Sequence, residues 1–94
     1  MAVAEPEGPS HRVEVRVELK PEVADAEAES VARSLGQLGI ASIRGVHIAR
    51  LFELEFVGVS AEEAERRARD AVERLLANPV IHRVTIRPLA GGAR

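Results

Sequence analysis

The feature that most constrains the fold is a strict alternation of apolar and charged residues that begins at Arg12. Positions 12, 14, 16 and 18 are charged, and the positions between and after them are Val13, Val15, Val17 and Leu19. A period of two predicts a β-strand that buries one face and leaves the other in water. Lys20-Pro21 ends this strand, because proline has no N–H to donate to a neighbouring strand.

Two helices are predicted from apolar residues that recur at helical spacing. The first spans about 25–38, with Gly39 as its C-terminal cap. The second begins at Ser60, which forms a capping box with Glu63, and it stops before Pro79.

Alternation predicts three further strands, over 43–49, 51–57 and 80–88, and the first two of these would form a hairpin around Ala49-Arg50. Neither turn residue favours the type I′ geometry that two-residue hairpins prefer. The order βαββαβ with right-handed crossovers predicts an α+β, ferredoxin-like sandwich. We expect a four-stranded antiparallel sheet with both helices on one face, so that both helical stripes meet the apolar side of the sheet.

The length of 94 residues fits one domain. We expect a disordered arm over residues 1–10, a single domain over 11–90 and a flexible tail over 91–94. The sequence has no apolar run long enough to span a bilayer and does not begin with a signal-peptide pattern. The protein is therefore expected in the cytoplasm.

Composition excludes several classes of function. There is no cysteine, so disulfides, thiol catalysis and cysteine-based zinc sites are ruled out. Only Phe52 and Phe56 are aromatic, which argues against stacking on bases or sugars. A net charge of −2 favours neither nucleic acid nor an anionic membrane as a partner. Lys20 is the only lysine among 13 basic residues, a bias that a thermophilic source or GC-rich codon usage would produce.

No set of residues points to catalysis. The histidines lack metal-ligand spacing, and neither a nucleophile elbow nor a glycine-rich phosphate loop is present. We therefore expect no catalytic, cofactor-binding or metal-binding residue in this chain.

The charged face of the predicted sheet allows two interpretations. Its carboxylates could serve acid–base chemistry or hold a metal, or they could be ion-paired. Arginines interleave with them on the same face, which favours ion pairs; the acidic positions are Glu14, Glu18, Glu53 and Glu55, and the basic ones are Arg12, Arg16, Arg83 and Arg87. A face of mixed sign can be solvated or can pair with a second copy of itself.

Other proteins of this architecture give alternatives. Acylphosphatases need a phosphate-binding loop with an arginine directly after the first strand, and here the sequence reads Leu19-Lys20-Pro21-Glu22. RNA recognition motifs need exposed aromatic residues on the central strands, where this chain has Arg and Glu. A small-molecule-binding regulatory domain of ferredoxin-like topology stays open as the alternative function.

Three stretches carry a family resemblance. They are Val13–Pro21, with its Lys-Pro exit; Val46–Phe56, a hairpin-like stretch; and Leu75–Ile81, a helix-to-strand junction and the most specific of the three. Together they cover about 13–88 and resemble PurS, the small subunit of phosphoribosylformylglycinamidine synthase. The chain departs from that family's usual residues at Glu22 and Ala26-Glu27-Ala28 around the start of the first helix, at Ala49-Arg50 in the hairpin, and at His82, where the family usually has an acidic residue.

The resemblance implies a non-catalytic assembly subunit of a glutamine-dependent, ATP-dependent ligase complex in purine biosynthesis. Such chains form a homodimer or tetramer, bridge the glutaminase and synthetase subunits, and support ammonia transfer. ATP and glutamine would be used by the partner subunits, and this chain would bind no cofactor. We expect partner contacts at Lys20, Arg44, Arg50, Asn78, Glu14, Arg16, Glu53 and Glu55. Asn78 could instead cap a helix.

Overall fold

The computed structural model describes residues 8–89. Residues 1–7 and 90–94, which hold the predicted tail and most of the predicted arm, lie outside this range. The elements in chain order are β1 (Ser10–Leu19), α1 (Ala26–Gln37), β2 (Ala49–Val57), α2 (Ala61–Ala71), a π-helical turn that continues α2 (Val72–Leu76), and β3 (His82–Leu89).

The described strands form a three-stranded antiparallel sheet in the order β2-β1-β3. Val15 lies opposite Phe52 on one side and Ile86 on the other, so the inner faces of all three strands coincide. Val13, Val15 and Val17 are 2%, 0% and 3% exposed. The predicted alternation of β1 is therefore confirmed, and it fixes which face of the sheet is the core.

The prediction of a four-stranded sheet is wrong for the part of the chain that the structure describes. Residues 43–48 were expected as a strand, but they run without a partner strand and lead straight into β2. A hairpin at Ala49-Arg50 would need two residues at positive φ, and neither side chain tolerates that geometry well. The chain turns earlier instead, at Gly39 (φ 83°) and Ser42 (φ 66°).

The core is formed by the sheet and α2. Ala64 and Ala68 are 0% exposed and pack against the valines of β1. Their small side chains let the helix axis approach the sheet closely. α2 lies over β1 and β3, and Phe52, Leu54 and Phe56 on β2 stay half-buried beside it.

The expectation that both helices pack on the sheet is wrong for α1 within the described residues. No α1 residue belongs to the core cluster, although Ala28 near its start is 5% exposed. The turn that leads into α1 is tied to the residue before β3, because the N–H of Lys20 donates to the carbonyl of Ile81 at 2.9 Å. Asp25 caps the start of α1 by accepting a 3.0 Å hydrogen bond from the N–H of Ala28.

The predicted cap of α1 is present, and the capping box of α2 is formed only in its Ser60 half. The N–H of Ile40 donates to the carbonyl of Leu35 at 3.1 Å, which closes α1 around Gly39 as predicted. At the start of α2, the Ser60 hydroxyl accepts from the N–H of Glu63 at 3.1 Å. The carboxylate of Glu63 binds Arg67 at 3.0 Å, so it serves an ion pair on the helix surface.

The core assignment predicts that a Val→Ala substitution lowers the free energy of unfolding by different amounts at a buried and at an exposed position. Val15→Ala should lower the free energy of unfolding by about 2 kcal/mol, from lost burial and the cavity left behind. Val80→Ala, at a 74% exposed position, should change it by less than about 0.5 kcal/mol. Urea denaturation at one fixed protein concentration measures both; equal losses would contradict the core described above.

Candidate functional site

The outer face of the sheet carries a network of ion pairs across the strands. Glu14 lies opposite Arg87 and accepts two hydrogen bonds from its guanidinium, at 2.8 and 3.2 Å. Glu18 lies opposite Arg83 and accepts from its Nε at 2.9 Å and from its terminal nitrogen. The pair of Glu14 with Arg87 is bidentate, whereas both nitrogens of Arg83 donate to one oxygen of Glu18. The two pairs hold β1 to β3 on the solvent-exposed face, as the interleaving of Arg and Glu predicted.

The pairing changes the acidity of these two carboxyls. The hydrogen bond from Arg87 lowers the pKa of Glu14 below its ordinary value of 4.5. Hydrogen bonds from Arg83 and then Arg16 lower the pKa of Glu18 in the same direction. Both groups are therefore ionised at neutral pH and bound to cations. A general acid needs a raised pKa, so acid catalysis is disfavoured here.

The side of this face next to β2 is more open. Glu53 lies opposite Glu14, and its carboxylate is 3.7 Å from the guanidinium of Arg12. Glu55 accepts a 2.9 Å hydrogen bond from the hydroxyl of Ser10. Both β2 glutamates are exposed, and they give this half of the face a negative edge.

Predicted contact residues also meet at a cavity of about 800 Å³ near the end of β1. The cavity is bounded by α1, by the end of β1 and by residues 44–48. Its walls hold the cations Arg16, Lys20 and Arg44, together with the α1 cap Asp25. The structure thus brings Arg16, Lys20 and Arg44, three of the eight predicted contact residues, to the opening of one cavity. Their order in the sequence does not predict this proximity.

Arg50 and Asn78 lie elsewhere. Arg50 is on the inner face opposite Val17, with its guanidinium carbon 5.4 Å from the centre of the Phe52 ring. This is a cation–π contact at the uncovered edge of the core.

Asn78 builds the turn into β3. Its side-chain oxygen accepts from the N–H of Val80 at 3.0 Å, so the suggested helix-cap role is replaced by an Asx turn. Sequence reasoning missed its partner, His82. The Nδ1 of His82 accepts a 2.8 Å hydrogen bond from the N–H of Asn78. An acceptor Nδ1 assigns the proton of the neutral ring to Nε2. The sequence signal for this contact is the Asn-Pro pair with a histidine four residues after the asparagine.

Residues 8–89 contain neither a cluster of metal ligands nor a membrane-spanning helix. No group of three or more metal-ligating side chains comes together there. No helix within this range has the length and apolar character needed to cross a membrane.

Comparisons with known proteins agree with one another. The family model for PurS, described as phosphoribosylformylglycinamidine (FGAM) synthase, matches residues 12–89. The phosphoribosylformylglycinamidine synthase subunit PurS of Archaeoglobus fulgidus is 40% identical over 73 residues, covering 78% of this chain and 91% of its own. The solved PurS of Methanocaldococcus jannaschii is similar with a TM-score of 0.75 at 25% identity, over 84% of this chain and 95% of that one. A chain in the structure of PurLQS from Thermotoga maritima gives 0.78 at 25% identity, over 86% and 99%.

The ion pairs predict a dependence of stability on pH. Because the pKa values of Glu14 and Glu18 are lowered on folding, their stabilising effect is complete above the ordinary value of 4.5. It is lost as the pH falls through the lowered values. Glu18→Gln should therefore flatten the acid limb of a plot of unfolding free energy against pH.

The control is Glu22→Gln, which alters an exposed glutamate for which the described residues provide no ion pair. It should leave the acid limb as steep as in the unmodified chain. Urea denaturation from about pH 3 to pH 7 measures the slope. The assignment fails if Glu18→Gln and Glu22→Gln give the same curve.

Proposed function

Because the chain belongs to the PurS family of phosphoribosylformylglycinamidine (FGAM) synthase subunits, we propose that it assembles that enzyme and carries none of its catalytic residues. In this role it bridges the glutaminase and the ATP-dependent synthetase subunits and supports ammonia transfer between them. The observation that carries the proposal is the family match over residues 12–89, which covers the described strands and helices except the first two residues of β1. The similarity to a chain of the Thermotoga maritima PurLQS structure supports it.

The chemistry of the outer face also supports a non-catalytic role. Glu14 and Glu18 are held as carboxylates by paired arginines, so they are unsuited to deliver protons. Charged groups fixed in position by neighbours of opposite sign are well suited to recognise a complementary protein surface, because they give specificity with little ordering of side chains on binding. ATP and glutamine are used by the partner subunits, and this chain binds no cofactor.

Two surfaces are proposed for the partner subunits. One is the rim of the 800 Å³ cavity, where Lys20 and Arg44 lie with the carboxylates of Asp25 and Glu29 and with the ion pair of Arg16 and Glu18. The other is the outer face beside β2, where Glu53 and Glu55 provide negative charge next to the ion pair of Glu14. The chain acts as a homodimer or tetramer in the cytoplasm, and two separate surfaces let each copy engage two different proteins.

Reconstitution tests the proposed role. We expect the synthetase and glutaminase subunits of the same source to form FGAM from glutamine at least about tenfold faster when this chain is added, a gain that uniting two active sites readily provides. The chain alone should show no turnover of glutamine or ATP. Supplying ammonium in place of glutamine should reduce the dependence on the chain, because ammonia then needs no transfer. The role is refuted if glutamine-dependent synthesis is unchanged by the chain.

A matched pair of arginine substitutions tests the cavity rim. Arg44→Ala should weaken assembly with the partner subunits by about fivefold, the loss of one contact at an interface. Arg74→Ala is the control, since the side chain of Arg74 is 79% exposed on the π-helical turn that continues α2, and it pairs with Asp70, which does not line the cavity. Calorimetric titration measures both affinities. Equal affinities for the two variants would remove the rim from the interface.

A further inference from the structure

The cavity at the end of β1 is lined by unpaired charges of both signs. Lys20 directly follows β1, and Arg44 lies in the segment that leads into β2. Asp25 and Glu29 come from the cap and the first turn of α1. Between residues 8 and 89 no ion pair joins any of these four groups to a partner, although all of them line the same cavity. Cations and carboxylates therefore meet at one opening without binding each other.

The other arginine and glutamate side chains of the cavity are bound to one another. Arg16 lies 3.2 Å from the carboxylate of Glu18, and both nitrogens of Arg83 donate to the same carboxylate. Asp25 uses one carboxylate oxygen to accept from the N–H at the start of α1, and its second oxygen accepts nothing from residues 8–89. The cations outside this cluster are thus available to an anionic group of a ligand, and the α1 carboxylates to a cationic group.

The cavity also has an apolar wall. Ala28 and Ala32 are one turn apart on α1, and both line the cavity. Their methyl side chains leave space that a larger residue would fill. Val46 and Ile48 are half-buried and line the cavity from the segment before β2. A branched aliphatic side chain placed among these four residues would be removed from water, which is favourable.

The dimensions of the cavity suit a small zwitterion. A volume of about 800 Å³ corresponds to a sphere about 11.5 Å across, and it lies in the range of known ligand pockets. In an α-amino acid the ammonium nitrogen and the carboxylate oxygens are about 3 Å apart, and a charge-assisted hydrogen bond at each end adds about 2.8 Å. The contacts of such a ligand thus span about 9 Å, which the cavity accommodates.

We propose that this cavity binds a free α-amino acid with a branched aliphatic side chain. The carboxylate of the ligand binds Lys20 and Arg44, its ammonium group binds Asp25 and Glu29, and its side chain packs against the alanines of α1. A simple anion would satisfy the two cations but would place negative charge beside the carboxylates of α1. The inference goes beyond the proposed assembly role and does not rest on it, because binding is measured on this chain without partner subunits.

Titration of the isotope-labelled chain with L-leucine, followed by amide chemical shifts, tests the site. We expect saturable shifts at Ala28, Ala32, Gly45 and Val46, with a dissociation constant of about 1 mM. Isocaproate and isoamylamine each lack one charged group of leucine and should bind at least about tenfold more weakly. L-Glutamate and L-lysine should also bind at least about tenfold more weakly, because each would place a charge against the apolar wall.

Paired substitutions separate a specific site from weak binding to the surface. Glu29→Gln and Lys20→Gln each remove one charge, and each should raise the dissociation constant for L-leucine by at least about tenfold. Glu22→Gln and Arg33→Gln are the matched controls, since both residues are exposed and neither lines the cavity. Circular dichroism confirms that each variant keeps the fold.

Ala32→Leu tests the apolar wall without changing a charge. The added side chain occupies the space proposed for that of the ligand, so the shifts caused by L-leucine should be lost. The proposal is overturned if L-leucine gives no saturable shift up to about twenty times the expected dissociation constant. Equal affinities for leucine and isocaproate, or for the Glu29→Gln and Glu22→Gln variants, would overturn it as well. None of these results bears on the reconstitution of FGAM synthesis, so the assembly role is tested separately.

Discussion

The structure depends on the burial of three valines on one face of β1. β1 is the central strand, and Val13, Val15 and Val17 lie between β2 and β3 and beneath Ala64 and Ala68. The outer face of the same strand presents the carboxylates that bind Arg83 and Arg87. One strand therefore sets both the core and the surface ion pairs. A slip of one residue in its register would exchange the two faces and lose both.

Much of this could be predicted because it depends on short-range regularity. The period of two in β1 and β2, the cap at Ser60 and the break at Pro79 are local properties, and each is observed. The ion pairs of Glu14 and Glu18 followed from residues of opposite sign on one predicted face. The three family stretches identified the family by themselves, and its model matches residues 12–89.

The errors concern long-range packing. Residues 43–48 alternate like a strand, but a strand also needs a neighbouring strand. The sequence of the segment does not reveal that residues 8–89 provide no such neighbour. The apolar residues of α1 recur at helical spacing, like those of any helix that packs on a core. This periodicity does not show which surface the helix covers. The meeting of Lys20 and Arg44 at one cavity likewise depends on how the connection between α1 and β2 returns to the end of β1.

The two edges of the sheet differ in how they are protected. β3 contains Pro88 near its end, which interrupts the row of donors on that strand, while β2 has neither proline nor glycine from Ala49 to Val57. An edge of this length and regularity can accept strands from other chains. For a subunit of a multi-subunit enzyme, synthesis in excess of its partners would leave such an edge uncovered and carries a risk of aggregation.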